Sequence, residues 1–476
     1  MRLLVAIITI ALLAACAAPI SFTGIASVDG TQYAYSGQVL VEMLTNTPEP
    51  SATPTYTPLP PSPTLTPTET VTPSPTVTSS QTATATDTPA PSVTPSPTPL
   101  VGYFVDNTCQ YNGNGRGPAC ATSAGGVGAY NALSAAQSGV TGSKPGETLY
   151  LRAGRTYPGT FTVGAYGAAG NPFTVTAYGD GARPVISGGS DVVKITCANC
   201  KHIVIDGLEI ASPAAYRYGL FIAYPAEFVT VKNCNIHHAH VGAILYGASN
   251  ITIEASEIWY NVSNGIGVTV ADPYRPTTGN VIRDNLIHHN KKYGVLTTGQ
   301  PTYKLSGIEI HGNEAYNNST GIYLVHTDYG LVYDNHLHDN GQDCQGAGTC
   351  TGEPYGFAIQ SGSHNLIYDN LIERSYQTGI GIYGDATDRA SYNQVYGNVV
   401  SQTIAGTWQR DLDWQSYSGV AVGSYNQAFD NDLLGAGLNF VIANESDAGA
   451  CCNTASGNTY GGLGQYGSGA SWSISP

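Results

Sequence analysis

This sequence has little charge, and little of that is basic: Asp, Glu, Lys and Arg make up 11% of 476 residues, with 18 Lys+Arg against 33 Asp+Glu and a formal net charge of -15. That balance excludes nucleic acid and anionic membrane surfaces as partners, because both select basic surfaces. A bare polyanionic glycan is disfavoured for the same reason unless a local basic patch or calcium bridges it, so calcium is the one cofactor left open. Long apolar runs are missing after the first dozen residues, and no later segment is a candidate transmembrane helix. Residues 46–99 lack hydrophobic periodicity, and 15 of the 28 prolines fall there among Thr and Ser. Such a chain cannot bury enough apolar surface to fold and reads as a disordered stalk, on the order of 150 Å long if extended as polyproline II.

What is present begins with Arg2 and the apolar run Leu3 to Leu13, which is too short to span a bilayer and has the pattern of a secretory signal. It ends in Leu13-Ala14-Ala15-Cys16, which resembles the lipobox of bacterial lipoproteins. The resemblance implies a signal peptide over 1–16, lipidation at Cys16, and an extracellular, cell-surface lipoprotein that meets the membrane only through that anchor. Residues 17–100 then comprise a segment given no fold and the Thr/Pro-rich linker, and 101–476 the folded domain. Export places the remaining nine of the ten cysteines where disulfides persist. Cys109–Cys120 and Cys344–Cys350 are predicted loop staples. The Cys197/Cys200 pair reads as a disulfide or two thiols rather than half a metal site, and Cys234 is left over.

After Leu100 the composition turns to Gly, Asn, Tyr and β-branched residues, and an internal repeat emerges. Its unit is an alternating apolar strand, Asp-Asn or Gly-Asn, a few residues, a turn, and Gly-apolar-x-apolar. Copies include VIRDNLIHHNKKYGVLTT (281–298), IEIHGNEAYNNSTGIYLV (308–325), LIYDNLIERSYQTGIGIYG (366–384) and QVYGNVVSQT…GVAVG (394–423). The turn position is Asn in Asn285, Asn313, Asn335, Asn370, Asn398, Asn431 and Asn458, and Cys234 and Ser256 hold it in earlier copies. Spacings between neighbouring copies of 22 to 35 residues fit one solenoid coil plus variable loops. Asn suits the position because a stacked amide satisfies the backbone groups of a tight inward turn, coil after coil.

These repeats, together with KPGETLYLRAGRTYPGTFTV, GNPFTVTAYGDGARPVISGG and HIVIDGLEI, resemble the pectate-lyase-like (pectin lyase fold) superfamily over about residues 101–450. The resemblance implies an all-β, single-stranded right-handed parallel β-helix with an Asn ladder, and glycan chemistry. It does not supply the active residues. The paired aspartates and Gly-His-Gly of polygalacturonases, the Arg-rich strand and calcium-binding acidic cluster of pectate lyases, and the Asp-Pro-His-Glu of alginate epimerases have no counterpart; Asp272-Pro273-Tyr274 is a partial echo of the last.

Period-2 alternation sorts the Gly-initiated strands into inward pairs (Leu220/Ile222, Ile266/Val268, Ile322/Leu324, Ile380/Ile382, Val420/Val422) and outward neighbours. Phe221, Tyr246, Tyr323 and Tyr383 are thereby predicted to form an exposed aromatic row suited to sugar rings. Two insertions at one turn, 338–355 and 401–418, are predicted to wall a cleft. They carry His338, Glu353, Trp408, Arg410, Asp411, Asp413 and Trp414, with Glu373 and Arg374 between them. Glu353, Glu373, Asp411 and Asp413 could supply the carboxylate pair of a glycoside hydrolase. Lys291, Lys292, His338 and Arg410 could instead supply the base and charge neutralisation of a lyase. His237, His288 and His338 share one register with Trp259, Tyr316 and Glu373, but whole coils separate them, so no metal is assigned; His326 and Asp328 are further acid–base candidates. The expected protein is a monomeric, extracellular, polysaccharide-active β-helix, lyase or hydrolase, with a non-catalytic glycan-binding or adhesion protein as the alternative.

Overall fold

A computed structural model describes residues 20–28, 31–39 and 100–474, apart from 189, 213–216, 272–276, 342–353, 386–387, 402–409, 417–422, 436–437, 444–451, 462–464 and 467–471. The signal, Cys16, the linker, Cys344, Cys350, Glu353, Trp408 and the Val420/Val422 pair lie outside the described residues. The segment given no fold contains an antiparallel pair, Ile20–Val28 with Thr31–Val39, in the register Val28↔Thr31. Asp29 and Gly30 separate the two strands in sequence, a dipeptide that favours two-residue hairpin loops.

From Tyr103 onward the chain winds as a right-handed parallel β-helix. A first sheet of 14 strands runs from Tyr103–Val105 to Trp472–Ile474; a second and a third of 12 strands each begin at Thr156–Pro158 and Phe161–Thr162. Through the body of the solenoid each coil gives one strand to each sheet, as in Val281–Arg283, Leu286–His288 and Tyr293–Thr298. Inward residues such as Ile203, Ile236, Ile287 and Ile380 are fully buried in one continuous core, each contributing about 1.5–3 kcal/mol. The single helix among the described residues, Leu133–Gly139, adds Leu133 and Ala136 to that core.

The corners explain the sequence. Between the first and second sheets one residue takes a left-handed φ (Asp284 55°, Asp334 52°, Gly397 63°), which suits Asp and Gly. The next residue points inward. From Asn285 to Asn458 each amide donates to its neighbour's Oδ1 at 2.9–3.0 Å. The ladder ends at Cys234, whose N–H donates to Ser256 Oγ at 3.1 Å and whose thiol, pushed up to about 11 by burial, stays protonated. Two further ladders went unread in sequence: Asn261–Asn290–Asn318–Asn340 between the second and third sheets, and Asn365–Asn393–Asn426–Asn453 between the third and first. The disulfides Cys109–Cys120 and Cys197–Cys200 are formed.

The 401–418 segment differs from expectation. Arg410–Ser416 is not an inserted loop but a third-sheet strand, paired with Thr378–Gly384 and Leu438–Ala443. The strand-opening glycines sit where a neighbouring backbone passes: a Cβ on Gly379 would lie 2.7 Å from the carbonyl of Asp411. Asp411 occupies that register in its own coil, so the Gly signal pointed to Gly419 instead.

Candidate functional site

One cluster of polar side chains forms where the third sheet turns into the first. Thr320–Val325 ends at His326, whose φ of 45° turns the chain off the sheet while its N–H donates to Gln360 O at 2.9 Å. The ring is 7% exposed. Its Nε2 is 3.2 Å from Asp385 Oδ2, and its Nδ1 is 3.5 Å from Asp388 Oδ2. Lys304 Nζ lies 2.6 Å from Asp388 Oδ2 and 3.4 Å from Asp328 Oδ1. Tyr323 OH donates to Gln360 Oε1 at 2.6 Å, and Gln360 Nε2 donates to Asp385 Oδ2 at 3.3 Å.

Local bonds hold these groups in place. Asp388 N donates to Asp385 Oδ1 at 3.0 Å, Asp385 N to Ser361 Oγ at 3.0 Å and Ser363 N to Asp328 Oδ1 at 2.8 Å. Lys304 arrives on an inserted corner whose Leu305–Ser306 pairs with Thr327–Asp328. The imidazole thus has a carboxylate on each side. Three carboxylates (Asp328, Asp385, Asp388) outnumber Lys304, which disfavours a bare polyanion.

The second sheet presents a different surface. Its outward column stacks His237, Trp259, His288, Tyr316 and His338, with centroids 4.5, 6.2, 4.9 and 5.0 Å apart. Each histidine meets a glutamate from the preceding coil: His237–Glu209 at 3.3 Å, His288–Glu257 at 3.2 Å and His338–Glu314 at 3.1 Å. Burial holds His237 and His288 below the ordinary histidine value, with His238 adding to the effect at His237.

The expected site residues are distributed over both surfaces. His338 and Glu373 are register neighbours on the second sheet, where Glu373 Oε2 is 3.0 Å from His336 Nε2. Asp411 and Asp413 lie on the third-sheet strand and are buried, with Gly435 N donating to Asp411 Oδ2 at 2.8 Å. Arg410 and Trp414 belong to that same strand, and their side chains lie outside the described residues. Lys291 and Lys292 sit at the corner before Tyr293–Thr298, where their N–H groups donate to Asn261 O and Ser263 O.

The aromatic row is a correction. Register puts Phe221 and Tyr323 in one column and Tyr246 and Tyr383 in another, two residues along. Only Tyr246 stands clearly exposed (42%); Tyr323 (5%) and Tyr383 (4%) are buried in a cluster with Ala358, because ring edges from adjacent coils close over one another. The sequence reading found His326 and Asp328 but missed Lys304, Gln360, Asp385 and Asp388. The signal for Lys304, Asp385 and Asp388 is a pair of polar insertions, 299–307 and 385–391, directly after Gly-initiated strands, whereas Gln360 ends the strand Tyr355–Gln360.

The sequence matches the family described as periplasmic copper-binding protein (NosD) over residues 182–350, and the right-handed beta helix region over 301–413. No curated protein matches it. Among solved structures, it resembles the GH136 lacto-N-biosidase from Eubacterium ramulus at 13% identity and TM-score 0.56, over 76% of this chain and 68% of that one. It also resembles the A-module of the mannuronan C-5 epimerase AlgE4 of Azotobacter vinelandii at 16% identity and TM-score 0.53, over 72% of this chain and 94% of that one. At these identities the likeness is one of fold.

Proposed function

We propose that this right-handed parallel β-helix is an extracellular polysaccharide-active protein whose chemistry sits at the His326 corner. The observation that carries this reading is a nearly buried imidazole with an aspartate on each ring nitrogen and Lys304 bound to one of them. General acid–base chemistry needs a positioned group that can take up and release a proton, and glycoside hydrolysis needs two carboxylates in unlike environments. Asp388, neutralised by Lys304, and Asp385, hydrogen-bonded by Gln360, are such a pair. The acidic balance favours a neutral or calcium-bridged glycan over a bare polyanion. The Thr/Pro-rich stalk and a lipid on Cys16 would hold the domain at the cell surface, and in this reading it works as a monomer. The earlier candidates on the second sheet and in the 410–416 strand would serve at most as outlying contacts.

The test is a screen of the purified protein against neutral and uronate polysaccharides, with and without EDTA, following reducing ends and the ultraviolet absorbance of unsaturated products. Reducing ends alone, lost in Asp388→Asn, support hydrolysis. An EDTA-sensitive ultraviolet signal shifts the assignment to a calcium-dependent lyase. Glycan binding without turnover on every substrate replaces the enzyme reading with the binding module.

A further inference from the structure

The second-sheet face repeats itself every two coils. Glu209/His237/His238, Glu257/His288/His289 and Glu314/His338/Asp339 occupy equivalent positions, in each case a glutamate on one coil and a histidine with its left-handed neighbour on the next. In the first two copies the third member is a second histidine, at 2.7 Å (His237 Nδ1 to His238 Nδ1) and 2.8 Å (His288 Nδ1 to His289 Nδ1). The third copy departs in two ways. Asp339 replaces that histidine, and the residue two before the column histidine, Asn235 and Leu286 in the other copies, is His336.

We propose that this third copy is a transition-metal site, with Glu314, His336 and His338 as its protein ligands. One ligand atom from each lies within 4.8 Å of the others, which is what binding to a single ion requires. His338 is the fixed member. Its Nδ1 is 2.7 Å from Asp339 Oδ2, and Arg374 grips both oxygens of Asp339 at 2.8 Å. The opposite ring nitrogen, Nε2, lies 3.1 Å from Glu314 Oε1 and is the one turned toward the proposed ligand set. A carboxylate behind a ligating imidazole, itself held by a second group, is the usual outer shell of a histidine–metal bond. Two imidazoles and a carboxylate suit zinc or copper(II) rather than calcium or magnesium. Glu314 is 48% and His336 39% exposed at the side chain, so the site is open to solvent ions. Among the described residues the other group with metal-like spacing, Asp106, Cys109 and Cys120, has both sulfurs in a disulfide.

The experiment is calorimetric titration of the metal-stripped full chain with zinc, and EPR of the copper(II) form. The expected result is one equivalent per chain, with two imidazole nitrogens in the copper spectrum. Both His336→Leu, which installs the residue of the second copy, and Glu314→Gln, at an exposed position, are expected to weaken zinc at least about tenfold, and His336→Leu to remove one nitrogen. Asp339→Asn, acting through His338, is expected to cost about 10- to 100-fold. Leu286→His completes the second copy beside Glu257 and His288 and is expected to raise the stoichiometry to two. No saturable zinc or copper uptake by the parent chain overturns the proposal. So does parental affinity in either His336→Leu or Glu314→Gln, with melting curves confirming that the variants fold.

Discussion

The outer faces of the second and third sheets are made by the same coils and differ in kind. On the second, three-residue strands held between two Asn ladders present the same position in every coil, and rings stack at 4.5–6.2 Å from His237 to His338. On the third, six-residue strands carry Lys194, Phe221, Ile244, Gly267, Leu296, Tyr323, Ala358, Gly381 and Asp413 down one column with no repeat. A column of like residues optimises contact between neighbours. A reacting centre needs unlike groups converging on one point, and His326, Asp385, Asp388 and Lys304 meet where corner loops depart from the repeat. In the proposed reading, regularity builds stability and departures from it build sites. The His336 substitution within the otherwise regular second face follows the same rule.

The largest effect that would break this contrast is on turnover. His326→Gln and Asp388→Asn are expected to lower the rate on the responsive polysaccharide by about 10²–10⁴-fold. His288→Gln, on the regular face, is expected to leave the rate within about threefold. Equal losses in all three, measured as kcat/KM at matched folded fractions, would dissolve the distinction. Next is stability. The Asn335 amide donates to Ile310 O, Tyr333 O and Asn370 Oδ1 and its carbonyl accepts from Asn313. Asn335→Leu strands these partners in the core and is expected to cost about 3–5 kcal/mol in urea unfolding. At the ladder's apolar end Cys234→Ala removes only a small buried side chain and is expected to cost about 1–2 kcal/mol.

A smaller effect is set by pH. Burial holds His288 and His237 below the ordinary histidine value of about 6.5, while Glu257 and Glu314 face His288 and pull the other way. The folded protein keeps these rings neutral where the unfolded chain takes up protons. Stability is therefore full above about pH 6.5, falls as pH drops through that value, and levels off only below the folded-state pKa values. Urea midpoints measured from about pH 7.5 to 5 should decline, and His288→Gln should flatten the slope. A midpoint that rises on acidification contradicts the assignment.

The solenoid was legible because its rule is local: Asp-Asn or Gly-Asn after a strand encodes a left-handed turn and an inward amide within two residues. The histidine column was legible for the same reason, since His237, His288 and His338 each fall three residues after the turn. Two coils hid the rest. Asp411 stands where a glycine announces the strand, so Arg410–Ser416 read as loop. The His326 cluster joins a corner to a loop of the second coil beyond it, and corner loops vary in length, so no fixed spacing links His326 to Asp385 and Asp388. The second and third ladders were masked by composition, because His289-Asn290 and Tyr392-Asn393 put an aromatic, not Asp or Gly, at the left-handed position. Those aromatics persist there because they stack, as Tyr392 does on His364 at 4.8 Å.

The smallest predicted effect isolates the contrast most sharply, because Tyr316 and Tyr323 sit on one coil, one on each face, and the same atom can be removed from both. Tyr316 lies between His288 and His338 through its ring, at 4.9 and 5.0 Å, and Tyr316→Phe keeps that stack. Stability and turnover are both expected to stay near the parent. Tyr323 contributes its hydroxyl: it donates to Gln360, which donates to Asp385, which meets His326. Tyr323→Phe leaves Gln360 free to turn, so Asp385 loses a fixed partner rather than a reacting group. A single hydrogen bond of about 1 kcal/mol corresponds to roughly fivefold in rate. The loss is expected in kcat, with KM nearly unchanged and the acidic limb of the pH–rate profile displaced. A merely structural tyrosine would lower the melting temperature and leave that limb where it was.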